Sequence, residues 1–252
     1  MFFDSHAHLD DVRFDVDREE IIASLQLNNV SMLINVGTTL RLSEKSVEMA
    51  EKYPFIYATA GIHPHDTKNM NEETLNSIKE LLKHPKCVAL GEIGLDYHYD
   101  FSDKDTQRYW FDRQLKLARD LNKPVIIHDR EAHSECFEMV KDNGVKGVFH
   151  CYSGAAELAE ELIKLGFYIS FTGGITFKNA KKAVEVIDAI PLSKILIETD
   201  CPYLTPEPFR SKRNEPKHVM YTAKKIAEIK NMSLEEIAKI TLENAKRCFS
   251  IN

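Results

Sequence analysis

Histidine and carboxylate residues recur in this chain at the ends of short apolar runs, a placement suited to holding divalent metal ions. His6 and His8 lie in Asp4-Ser5-His6-Ala7-His8, and His63 and His65 in Gly61-Ile62-His63-Pro64-His65. Glu92 follows Gly91, His128 follows Val125-Ile126-Ile127, His150 follows Phe149, and Asp200 follows Glu198-Thr199. Side chains two apart in an extended strand project to the same side, so His6 and His8 are able to chelate one ion. Imidazole and carboxylate together suit Zn²⁺, Mn²⁺, Ni²⁺ or Fe²⁺, and the carboxylates keep Mg²⁺ open. One ion needs about four ligands. Four histidines and two carboxylates, completed by solvent, suffice for two ions if one carboxylate bridges. The spacing suggests His6, His8, Glu92 and Asp200 on one ion, and Glu92, His128 and His150 on the other, with Glu92 shared. Such a pair lowers the pKa of a water from ~15.7 towards about 7 and so prepares a hydroxide nucleophile. The ions outweigh the two carboxylates in charge, which favours an anionic substrate such as a phosphodiester.

The elements that would position these groups are short strands alternating with amphipathic helices. Strands are expected at Phe2–Ser5, Met32–Asn35, Ile56–Ala60, Cys87–Leu90, Val125–Ile127, Gly147–Phe149, Phe167–Ser170 and Ile195–Ile197. Their nearly continuous apolar runs suit parallel strands buried on both faces. Asp17 with Glu20 and Ser233 with Glu236 read as helix N-caps with a reciprocal carboxylate. Residues 107–121 set Phe111, Leu115, Ala118 and Leu121 on one helical face, and Pro124 bars continuation. Residues 155–165 end at Gly166, a suitable left-handed cap. Eight such repeats predict an α/β fold of the (β/α)8 TIM-barrel type, formed by a single domain over residues 1–252. A doubly wound sheet is the competing arrangement, but no G-x-G-x-x-G follows an early strand. In the barrel the carboxyl ends of all strands meet at one rim, which gathers the candidate ligands.

Composition narrows the partners. The 252 residues carry 33 Lys and Arg against 39 Asp and Glu, a net charge of −6, which excludes a coat protein that binds nucleic acid through bulk positive charge. An enzyme acting on short single-stranded ends through a local site remains open. Five scattered cysteines without a C-x-x-C argue against a disulfide framework and for a reducing cytoplasm. No secretory leader, membrane span or obligatory protein partner is expected. Arg210, Lys212 and Arg213 cluster after the last strand, where barrels often bind phosphate. Tyr97, Tyr99, Phe177, Tyr203 and Phe209 follow strand ends, where rings stack on bases. The bland reading competes: basic loop residues are usually solvated and rim aromatics often pack loops. His84, His98, His133 and His218 read as solvent-exposed, and His65 as a turn residue beside Pro64 rather than a ligand. Asp4 and Asp96 read either as supports for ligating histidines or as strand-end caps.

With these segments in view, the chain resembles the TatD family of metal-dependent hydrolases, within the amidohydrolase superfamily. The resemblance rests on D-S-H-A-H-L at 4–9, G-I-H-P-H at 61–65, G-E-I-G-L-D-Y at 91–97, H-D-R at 128–130, H-C-Y-S-G at 150–154, E-T-D-C-P-Y-L-T-P at 198–206 and R-S-K-R-N-E-P at 210–216. It implies an eight-fold barrel, a site for two divalent ions (Zn, Mg, Mn or Ni) and deoxyribonuclease activity on DNA or oligonucleotides, often exonucleolytic. It further implies Asp200 as ligand and proton acceptor for the attacking water, and His63 as a substrate-facing residue beside the scissile group. Glu92 stands where some superfamily relatives carry a carbamylated lysine, so no lysine modification is expected. Cys201 replaces the more usual Ser or Ala, which would expose the site to thiol reagents. Arg210, Arg213 and Tyr203 are the expected substrate contacts. Within the same superfamily, an amide or ester hydrolase such as an aminoacyl-tRNA deacylase is the alternative enzyme, and a non-catalytic metal-binding scaffold the alternative class.

Overall fold

The computed structural model describes residues 1–99 and 101–251. Eight strands form one sheet in the order β1 to β8: Phe2–Ala7, Val30–Asn35, Ile56–Ala60, Cys87–Asp96, Val125–Arg130, Gly147–Phe149, Tyr168–Phe171 and Ile195–Ile197. Every strand pairs in parallel with a neighbour. Helices α1 (Arg18–Ser24), α2 (Leu40–Lys52), α3 (Glu72–Leu81), α4 (Lys104–Asp120), α5 (His133–Asn143), α6 (Ala156–Lys164), α7 (Lys181–Ala189), α8 (Val219–Lys230) and α9 (Leu234–Cys248) alternate with them. This sequential parallel order is the (β/α)8 TIM-barrel class. The backbone resolves into two compact units. One holds Met1–Asn35, Cys151–Ile163 and the chain from Tyr168 onward; the other holds Val36–His150 and Lys164–Phe167.

In the unit built on β3 to β6, the strands run further than their apolar stretches. β4 continues through Glu92 to Asp96, and β5 through His128 to Arg130, because Gly94, Leu95 and Asp96 keep ladder register with His128, Asp129 and Arg130. Polar side chains interrupt the hydrophobic signal but not the backbone pairing. All ten residues of β4 are buried. The close approach depends on Gly94, whose φ is +148° and where a methyl group would overlap the His128 carbonyl oxygen. Helix α4 packs on β4 through Phe111, Leu115 and Ala118, each fully buried as its periodicity requires. Leu121 instead forms the half-buried C-cap.

In the unit built on β1, β2, β7 and β8, β1 is buried along its whole length and extends past Ser5 to Ala7. Helix α9 packs on β1 and β8, and the Asn244 amide donates to the Leu192 and Ile195 carbonyls at 2.8 and 2.9 Å. The expected capping box is formed at Ser233 and Glu236. The one expected at Asp17 is not: Asp17 occupies the N-cap position without a capping bond. Its carboxylate is instead held bidentately by Arg213, at 2.8 and 2.6 Å. A charge-assisted fork with a guanidinium outcompetes a single backbone N–H for the same oxygens.

Candidate metal centre

Glu92 is the focus of the first cluster. Its Oε1 lies 2.8 Å from His128 Nδ1, 2.8 Å from His150 Nε2 and 3.6 Å from His63 Nε2. Burial alone would raise the Glu92 pKa. Electrostatic attraction to the His150 and His63 rings and the bonds from His128 and His150 outweigh it, so the carboxyl sits well below its ordinary range. The backbone beside it is fixed: Glu92 N donates to Gly37 O at 2.8 Å, and Thr59 Oγ1 donates to Gly91 O at 2.6 Å.

Four residues further along β4, Asp96 Oδ2 takes His65 Nε2 at 2.8 Å and His128 Nε2 at 3.0 Å. These bonds overcome the upward push of burial and keep Asp96 ionised. Burial lowers the His128 pKa, but its bonds to Asp96 and Glu92 outweigh that and raise it. Thus Asp96 supports a candidate ligand through Oδ2 and also caps the strand end, its Oδ1 accepting from the backbone N–H groups of His98 and Tyr99. His65 lies in the turn beside Pro64, as expected, yet its ring is part of this network.

His63 behaves differently. Burial first, then the neighbouring charge of His128, hold its pKa well below the ordinary value. Its Nδ1 accepts from His65 N at 3.2 Å, which assigns the remaining proton to Nε2. The loop that carries it is clamped by Gln114: Ile62 N donates to Oε1 at 2.8 Å and Nε2 donates to Ile62 O at 3.1 Å. Gln107 holds the Asp96 backbone in the same manner, at 2.9 and 3.0 Å. Neither glutamine stood out as functional in the sequence. Their signal was polar residues inside the buried stripe of α4.

The second cluster belongs to the other unit. His6 Nε2 and His8 Nε2 stand 3.1 Å apart, and Asp200 Oδ1 lies 3.7 and 3.3 Å from them respectively. Backbone bonds align the two segments: Asp200 N donates to His6 O and His8 N to Cys201 O, both at 2.9 Å. Asp4 fixes the Asp200 loop by accepting from Thr199 N at 2.9 Å and Thr199 Oγ1 at 2.6 Å. Desolvation pushes the Asp4 pKa up to about 8. Asn35 fixes the other side by accepting from Leu9 N at 2.7 Å. Asn214, fully buried, donates to the Thr199 and Tyr203 carbonyls. It is a further positioning residue hidden in the basic R-S-K-R-N-E-P run.

Both clusters fit divalent metal. Tetrahedral ligands about 2.0–2.1 Å from an ion stand about 3.4 Å from one another, and the donor atoms of His6, His8 and Asp200 are spaced 3.1 to 3.7 Å. Glu92 Oε1, His128 Nδ1 and His150 Nε2 likewise converge, 2.8 to 3.5 Å from one another. Mixed imidazole and carboxylate donors match Zn, Mn, Ni or Fe ions.

The remaining expected residues are placed as follows. Tyr203 is half exposed under the Arg13 guanidinium, 4.2 Å from its centroid, with His8 edge-on at 6.5 Å. Arg210 is exposed and lies 3.9 Å over Phe177. Arg213, besides its fork to Asp17, donates to Arg13 O at 2.6 Å and lies 4.5 Å over Phe14, which ties its guanidinium to the fold. His218 is buried, stacked 5.1 Å from Phe209 and bonded to Asn214, rather than solvent-exposed. Ring stacking and the amide replace water. Cys201 is fully buried, and desolvation first, then the charge of Asp4, hold its thiol well above the ordinary range. It offers no reactive thiolate, contrary to the sequence expectation. Among the described residues, no helix is long and apolar enough to cross a membrane, and none of the five cysteines forms a disulfide.

Comparison with known proteins agrees with this chemistry. Residues 3–250 match the family described as TatD related DNase. The chain is 51% identical to the metal-dependent hydrolase YabD of Bacillus subtilis, with both chains covered in full. It is 35% identical to the 3'-5' ssDNA/RNA exonuclease TatD of Escherichia coli K12, over 99% of each chain. The crystal structure of YjjV, a TatD homologue of Escherichia coli K12, superposes with a TM-score of 0.94 at 30% identity, over 100% of this chain and 98% of that one.

Proposed function

The chain belongs to the TatD-related DNase family, and from that footing we propose that it is a metal-dependent deoxyribonuclease that hydrolyses phosphodiester bonds at single-stranded DNA ends. The observation that carries this reading is the convergence of three imidazole nitrogens on the one buried, ionised oxygen of Glu92. The ligand set we propose is His6, His8, Glu92 and Asp200 for one divalent ion, and Glu92, His128 and His150 for a second. It draws support from the donor spacing within each cluster. When bound, such ions supply Lewis-acid charge to the phosphodiester and bring the pKa of water towards about 7.

The chain's own groups divide the remaining work. Asp200 accepts the proton of the attacking water, a role its partly exposed carboxylate beside His8 suits. His63, neutral and protonated at Nε2, donates a hydrogen bond to a substrate oxygen without adding charge. Asp96 holds the His128 ring in place. Tyr203 and Arg210, both exposed, contact the nucleic acid. Arg213 shapes their loop through Asp17. The names of the relatives favour phosphodiester substrates over the amide or ester alternative. Five cysteines without a disulfide suit a reducing, cytoplasmic setting, and residues 1–252 act as one catalytic domain. The test is incubation of the purified protein with labelled single-stranded DNA and Mg²⁺, Mn²⁺ or Zn²⁺. Release of nucleotides is the expected result. Cleavage of an aminoacyl ester without nucleotide release would overturn the reading.

A further inference from the structure

Beside the Glu92 cluster, the loop after β4 carries two aromatic rings that the fold leaves open to solvent. Tyr99 is 41% and Phe101 52% exposed. Their rings are stacked with centroids 5.3 Å apart and planes 17° from parallel. Large exposed apolar side chains lose favourable burial, so a pre-formed pair of them at a candidate site marks a contact surface.

The pair is held in place by the same groups that hold the cluster. Asp96 Oδ1 accepts from His98 N and Tyr99 N, both at 3.0 Å, while its Oδ2 takes His65 and His128. Ser102 Oγ donates to His65 O at 2.9 Å and accepts from Lys68 N at 3.1 Å, which anchors the far end of the loop. The His65 ring meets Phe101 edge-on at 4.8 Å and Tyr99 at 5.5 Å. That ring in turn lies 4.3 Å from His63, which lies 4.4 Å from His128. Arg130 places its guanidinium 4.7 Å over Tyr99. The rings are therefore two contacts away from the candidate ligand His128 by way of His65, a path of about three nucleotides at about 3.4 Å per stacked base.

We propose that Phe101 and Tyr99 form a stacking platform for an unpaired nucleobase of the strand being cleaved, with Phe101 supplying the open face. The proposal rests on the nuclease reading and deepens it. A face-on aromatic contact accepts any base and requires that base to be unpaired, so the platform selects single-stranded ends without reading sequence. Arg130 adds positive charge beside the ring that suits the strand's backbone.

The test is fluorescence anisotropy with the protein as purified and a labelled single strand whose phosphorothioate linkages resist hydrolysis. Wild type is compared with Phe101→Leu and Phe101→Trp, each on a base-bearing strand and on an abasic strand of equal length. The leucine variant should bind the base-bearing strand about fivefold or more weakly, the tryptophan variant should restore binding, and all three should bind the abasic strand alike. Equal binding of the base-bearing strand by wild type and F101L would overturn the platform. So would an equal loss on the abasic strand, or no binding of either strand by wild type. Cleavage of ordinary DNA is measured separately. A protein that cleaves DNA while F101L binds normally refutes the platform alone, and one that discriminates bases yet cleaves nothing refutes the nuclease reading alone.

Discussion

Replacing Asp96 by Asn should weaken metal binding although Asp96 is not among the proposed ligands. Its Oδ2 receives His65 Nε2 at 2.8 Å and His128 Nε2 at 3.0 Å. It is ionised in the folded protein, because those bonds outweigh the upward push of burial. Hydrogen bonds to a charged group contribute roughly 1.5–3 kcal/mol each. An asparagine keeps the acceptor for His98 N and Tyr99 N but loses the charge that orients His128 through its second nitrogen. Partners of this kind typically change metal affinity or activity by about 10–100-fold. The assay is competitive titration of bound ion with a chelating dye, together with initial rates of oligonucleotide hydrolysis as metal is added. The expected result is a loss of affinity in that range, with activity recovering as metal is raised. Asp129→Asn is the control, because the buried Asp129 side chain lies on β5 next to His128 but pairs with His133 at 2.7 Å. A D96N protein with wild-type affinity would refute the orienting role, as would a D129N protein equally impaired in metal binding.

Three further outcomes follow from the same geometry. Asp200→Ala should retain metal at the Glu92 cluster yet lose turnover by about 10²–10⁴-fold, the usual share of a positioned proton acceptor; undiminished cleavage in that variant would break the proposed mechanism. Asp4 has a folded pKa of about 8, above its unfolded value, so its contribution to stability is complete in acid and is lost as pH rises towards about 8. Thermal melting of wild type in chelator should therefore fall more steeply between about pH 5 and 8 than that of Asp4→Asn, and parallel curves would contradict the assignment. Gln114→Leu strands the Ile62 N–H and carbonyl, at a cost of about 1–3 kcal/mol for each group. It should lower the melting temperature by several degrees and reduce kcat through the His63 loop; a leucine variant as stable and active as wild type would remove Gln114 from the account.

Much of this architecture is legible in the sequence, and for a physical reason. Strands buried on both faces must be apolar, so Ile56–Ala60 and Ile195–Ile197 were legible to the residue. The ends of β4 and β5 were not, because Glu92, Asp96 and His128 are polar residues buried against one another. Hydrophobicity reports contact with apolar surroundings and misses polar groups that satisfy each other. Glu92, His128 and His150 were identifiable as one cluster because strand ends in this fold converge. What escaped were the groups acting at one remove. Gln107 and Gln114 looked like ordinary helix residues, and Asn214 was hidden among basic neighbours. Asp17 and Arg213 each suggested a role by motif, a cap and a substrate contact, while the fold pairs them with each other. Side chains with two strong partners within reach are assigned by tertiary geometry, which local spacing does not encode. His218 illustrates the same limit, since the stacked Phe209 ring and the Asn214 amide that explain its burial are brought to it by the tertiary fold.

The most direct test of the metal centre is elemental analysis of the protein and of its Glu92→Ala variant, each with circular dichroism to verify the fold. The account predicts two divalent ions per chain in the wild type and loss of both when the shared carboxylate is removed. A single ion in the wild type, or a folded E92A protein that still holds a pair, would contradict it.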